Sequence, residues 1–88
     1  MNDIMKLNCR KLSGGTFDIE AEETDSIYNV KQKISNEITA NIKQLQLLYL
    51  GWKLDNNLTL NHYGITKDST LFIIVLHTSN YPLYSTIV

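Results

Sequence analysis

The chain has 88 residues, 43% hydrophobic and 19% charged, a balance that forms one folded domain and excludes a disordered polar chain. Eight Lys and Arg against nine Asp and Glu leave a net charge of −1, so no global field favours nucleic acid or an anionic membrane. The lone Cys9 cannot close an internal disulfide, and no apolar run approaches the ~18 residues of a membrane span.

The N-terminal stretch MNDIMKLNCRKL has no apolar signal core, and the NLT triplet at Asn57 is read as a chance sequon. These features lead us to expect a reduced intracellular domain, cytoplasmic, nuclear or both. The first elements are two alternating runs. IMKLNCR sets Met5, Leu7 and Cys9 against Lys6, Asn8 and Arg10; TFDIEAE sets Phe17, Ile19 and Ala21 against Thr16, Asp18, Glu20 and Glu22. Gly14 and Gly15 between them supply a turn, so the pair reads as an antiparallel hairpin.

The period then changes to that of a helix. Asp25 or Ser26 can cap it, and Ile27, Val30, Ile34 and Ile38 recur at spacings of three, four and four over about three turns. Lys31 lies beside this stripe, where its stem can pack and its ammonium must find a partner. Thr39 to Asn41 form the exit. QLQLLYL then alternates Leu45, Leu47 and Tyr49 with Gln46, Leu48 and Leu50; Gly51 turns the chain and WKLD starts a short return. A polar connection anchored by Leu58, Leu60, Tyr63 and Ile65 contains a single helical turn near Leu60 to Tyr63. STLFIIVLHTS is the last strand, and NYPLYSTIV trails behind it, with Pro82 unsuited to a central strand. The order is β-β-α-β-β-β.

That last strand is apolar at every position from Leu71 to Leu76. One helix covers one face of a small sheet, so one of the two sets, Leu71, Ile73 and Val75 or Phe72, Ile74 and Leu76, faces the helix, and the other has no partner within the chain except the tail.

TDSIYNVKQKI, LLYLGWKL and LTLNHYGITKDSTL resemble the helix start, the third strand and turn, and the approach to the last strand of ubiquitin. The resemblance runs without a gap from Met5 to about Asn80. It implies an α+β fold of the β-grasp type, a mixed sheet packed on one helix, over residues 1–78. Residues 79–88 are then a tail, either disordered or folded over the sheet. The resemblance also implies an apolar docking patch for protein partners such as ubiquitin-binding domains or proteasome subunits. Carried over by position, its central isoleucine falls on Leu48, its valine on Ile74, its hairpin-turn leucine on Leu12 and its histidine on Phe72, with Trp52 at the chain-building lysine. The resemblance thus implies that Leu71, Ile73 and Val75 face the helix, and that Leu48 lies with Phe72, Ile74 and Leu76 on the outward face.

The departures are as informative. Ser79 and Asn80 stand where ubiquitin has its terminal glycines, and eight residues follow them. We therefore expect a non-conjugated interaction module, monomeric and non-catalytic, needing no cofactor; the alternative is a divergent modifier whose C-terminus is processed. Gln46, Leu76 and Thr78 replace basic residues, which implies an apolar interface of low salt sensitivity. Asn56 stands where the family pairs an acidic residue with Lys31, which implies a weakened pair and a more mobile helix end. The patch would be covered if Tyr81, Leu83, Tyr84, Ile87 and Val88 folded back over it, or if two copies associated through it. Cys9 reads as a core residue, and His62 and His77 have no paired ligand at metal spacing. Lys6, Arg10 and Lys11 are too few for a nucleic-acid stripe.

Overall fold

The computed structural model describes residues 4–76. Strands β1 (Ile4–Lys11) and β2 (Thr16–Glu22) form the expected hairpin, with Met5↔Ala21, Leu7↔Ile19 and Cys9↔Phe17 opposed on one face. Helix α1 (Ile27–Ile38) follows, then a 3₁₀ turn at Ile42–Gln44, β3 (Leu45–Tyr49), β4 (Trp52–Lys53), a second 3₁₀ turn at Asn61–Tyr63 and β5 (Thr70–Val75). The sheet order is β2-β1-β5-β3-β4, with β1 and β5 parallel and the other pairs antiparallel. This is the β-grasp arrangement that the resemblance implies.

Of the two capping candidates, Ser26 caps α1: its hydroxyl accepts the Asn29 N–H at 3.0 Å. The Asp25 carboxylate instead accepts the Glu22 N–H at 2.9 Å and lies 3.5 Å from the Lys33 ammonium, fastening the β2 exit to the helix. The helix buries Ile27, Val30 and Ile34 against Leu7, Leu47, Leu71 and Ile73 of the sheet. The polar connection is tied to the helix start by backbone bonds, Ile27 N–H to Leu58 O at 2.8 Å and Leu60 N–H to Asp25 O at 3.0 Å.

Three local features depart from the expectations. The 3₁₀ turn after α1 was not foreseen; Asn41 and Gln44 close a reciprocal capping box there, a short-range device that an apolar period does not register. Lys31 is buried beside the helix stripe but makes no ion pair or hydrogen bond among the described residues. Asn56 serves the helix through its backbone instead, its carbonyl accepting the Tyr28 N–H at 3.2 Å. The tail, including Ser79 and Asn80 and its expected position over the sheet, lies outside the described residues.

The β3–β4 turn has only Leu50 and Gly51 between the paired Tyr49 and Trp52, at φ 52° and 85°. A two-residue loop with both φ values positive is the type I′ geometry, which favours Asn-Gly. Leucine in that conformation carries backbone strain of roughly 1–2 kcal/mol. We expect Leu50→Asn to raise the unfolding free energy by about 1 kcal/mol in urea titration. Leu47→Ala, which empties a fully buried position in β3, should lower it by about 2–5 kcal/mol.

Candidate functional site: the open face of the sheet

Register places one row of side chains across all five strands: Thr16, Arg10, Phe72, Leu48 and Lys53. Residues directly opposed in a sheet share a face, and this row lies on the side away from α1. The adjoining row pairs Ile74 with Gln46, and the Leu12 N–H donates to Ile73 O at 3.1 Å, which brings Leu12 alongside Ile74. Leu12, Ser13, Ile73, Ile74 and Val75 line a shallow hollow of ≈ 260 Å³ there. On the other side of the Phe72 row the face turns polar, with Asn8 opposite Thr70 and Asp18.

Leu48, Phe72 and Ile74 form one contiguous apolar strip and are each half-buried, because β5 is a central strand and neighbours shield them on both sides. Four exposed apolar side chains lie around it, Leu12 at 62%, Leu50 at 77%, Trp52 at 71% and Leu76 at 44%, while Ile4 and Tyr28 are exposed elsewhere. Trp52 is not in the strip. Its register partner is Tyr49, on the parity of buried Leu45 and Leu47, and Lys53 is the residue opposite Leu48. Leu50 was not singled out from the sequence. The available signal was a leucine before glycine in a two-residue turn, where asparagine is usual.

The uncharged Gln46 and Leu76 do not leave the strip without neighbouring cations. Gln46 and Leu76 do lack charge, but Arg10 flanks Phe72 on one side and Lys53 flanks Leu48 on the other. Both are exposed, and neither forms an ion pair among the described residues. The two cations arise from strands distant in sequence and become neighbours of the strip only through register.

Cys9 faces the core, fully buried. Burial first, then the charges of Asp18 and Glu37, push its thiol up to about 12 from the ordinary 9.0, so it holds its proton at neutral pH. His62 is exposed and packs edge-on against Tyr63, ring centroids 5.0 Å apart. Among the described residues no three His, Cys, Asp or Glu side chains converge as metal ligands would.

The model of the Ubiquitin family matches residues 6–78. The chain belongs to the ubiquitin family. Among curated relatives, the NEDD8-like protein RUB3 of Arabidopsis thaliana is 28% identical over 71 residues, covering 81% of this chain and 91% of its own. Ubiquitin-like protein 4A of Xenopus laevis is 30% identical over 71 residues, again 81% of this chain but 48% of its own. Its counterpart in Oryctolagus cuniculus is 27% identical, with 45% of its length covered. The chain thus spans most of the first relative and about half of the other two.

The buried thiol gives a direct check of the core. A maleimide should leave the native protein unlabelled at pH 8 and label Cys9 fully in guanidinium. The pH dependence has a fixed sign: a folded thiol at about 12 against an unfolded one at 9.0 contributes stability below pH 9 that is lost as pH climbs toward 12. The stability difference between wild type and Cys9→Ala should therefore shift against wild type by roughly 2–3 kcal/mol between pH 8 and pH 11.

Proposed function

We propose that the open sheet face is a protein-docking surface and that the chain works as a non-catalytic ubiquitin-like interaction module for partners of the ubiquitin-receptor or proteasome type. Leu48 and Ile74 form its centre, Phe72 its aromatic anchor, and Leu12 and Trp52 its flanks. The observation that carries this reading is the row Arg10–Phe72–Leu48–Lys53, an apolar pair closed at both ends by cations that form no ion pair among the described residues. Removing a large apolar side chain fully from water is worth roughly 1.5–3 kcal/mol, and these half-buried side chains retain part of that. A contiguous apolar strip with a polar border has the composition of an interface, with energy at the centre and selectivity at the rim. The two cations favour a partner whose apolar contact residues are bordered by Asp or Glu. The exposed Leu50, kept in a strained turn beside Trp52, fits the same reading, because strain of this kind gathers at functional sites.

A panel of immobilised ubiquitin-receptor domains and proteasomal receptor subunits tests the proposal. Wild-type protein should bind at least one member, and Leu48→Ala with Ile74→Ala should bind none while its circular dichroism is unchanged. Equal binding by the double variant would reject the assignment. Arg10→Ala with Lys53→Ala should slow association several-fold at low salt and flatten its salt dependence.

A modifier with a processed C-terminus is the second reading, favoured by the match to nearly the full length of the NEDD8-like relative. Ser79 and Asn80 argue against it, because side chains there obstruct a channel that glycines fit. Incubation with ubiquitin-activating enzyme and ATP should give no thioester adduct, and an adduct would replace the docking reading with this one.

A further inference from the structure

Beside the sheet, between α1 and the β3–β4 hairpin, lies a hollow of ≈ 440 Å³ whose lining includes Lys31, Lys43, Lys53, Asp55, Gln46 and Asn56. Its charge is unbalanced: three lysines and one aspartate line it, and no ion pair joins them among the described residues. The carboxylate is already engaged, since Asp55 Oδ1 accepts the Asn57 N–H at 2.8 Å.

Lys31 distinguishes this hollow from a chance group of surface lysines. It is 8% exposed, its stem packed with the helix, and its ammonium has no hydrogen-bond partner among the described residues. Every fully buried side-chain nitrogen or oxygen in the described residues does have a partner. The Lys31 nitrogen therefore still reaches solvent, and it borders this hollow. Burial, and then the nearby Lys53 charge, lower its pKa from the usual 10.5, with Asp55 opposing. A buried cation facing another cation is an unfavourable arrangement unless a counter-charge completes it.

We propose that this hollow binds a phosphate-like dianion, with Lys31 at its floor and Lys43 and Lys53 at its rim. Charge selects the ligand class. Three lysines and one aspartate leave two uncompensated positive charges, which a phosphate or phosphomonoester balances and a carboxylate balances by half. Lysine suits the task as a compact point charge able to turn toward a tetrahedral oxyanion. Gln46 and Lys53 border both this hollow and the open face, so the two sites share a cation.

Amide and lysine side-chain NMR of the whole chain, titrated at matched ionic strength with sodium phosphate, O-phosphoserine, sodium acetate and sodium chloride, tests the proposal. Phosphate should produce saturable shifts centred on Lys31, Lys53 and Asn56 and raise the melting temperature, while acetate and chloride do neither. Lys43→Ala with Lys53→Ala, both at exposed positions, should keep the fold and weaken phosphate binding by about tenfold. Lys31→Met should be at least as stable as wild type in chloride and gain nothing from phosphate. Tighter binding of O-phosphoserine than of inorganic phosphate would assign the site to a phosphomonoester on a larger molecule, and the reverse order to the free ion. The proposal is overturned if chloride reproduces the phosphate shifts, if the shifts spread equally to Lys6 and Lys67, or if the Lys43/Lys53 variant binds phosphate like wild type.

Discussion

The parallel pairing of β1 with β5, from Asn8↔Thr70 to Lys11↔Ile73, joins the first strand to the last and places both in the middle of the sheet. Parallel strands need a long crossover connection, and here α1 lies within the chain that joins them. The pairing also makes β5 a strand with neighbours on both edges and a helix on only one face. Leu71 and Ile73 are sealed by that helix; Phe72 and Ile74 are shielded sideways and left open above. The open face is a direct consequence of covering a five-stranded sheet with a single helix.

The same pairing sets the charge pattern. Arg10 belongs to the first hairpin and Lys53 to the fourth strand, yet both end up one strand away from the apolar pair. Lys6, further along the outer parity of β1, is drawn toward Asp18 at 4.0 Å, a weak exposed contact at the sheet edge. Positive charge near the strip thus has no ion-pair partner among the described residues, and Lys6 farther out is offset by the acidic face of β2.

The periodicities carried most of the fold. Alternation in IMKLNCR and TFDIEAE and the Ile27–Val30–Ile34 stripe are properties of local segments, and burial follows them closely. Leu48 and Ile74 were read from outward parity and from resemblance together, and the register agrees in putting them on one face. Features that depend on partners distant in sequence were not readable. No local pattern shows that Arg10 stands beside Phe72, or that Trp52 opposes Tyr49 rather than Leu48, because both facts depend on strand register. The choice between Asp25 and Ser26 turned on geometry at one residue: either side chain can cap, and Lys33 engages the aspartate. The Lys31 environment was half visible. Burial of its stem follows from the stripe, and burial is the main cause that lowers its pKa, whereas the further lowering by Lys53 requires the hairpin to be in place.

The sheet ends are unlike its centre. β4 is two residues long, and β2 shows Thr16, Asp18, Glu20 and Glu22 along its outward parity. A short strand gives little template for backbone pairing, and a run of carboxylates repels another strand aligned against it. A visiting chain therefore finds scant opportunity to extend this sheet by strand addition, even though an apolar strip is within reach. The docking proposed for the open face would then rest on side chains meeting a face, a mode that a partner helix or loop can satisfy. Blunt borders around an apolar middle thus separate side-chain contact at the face from backbone pairing at the edges.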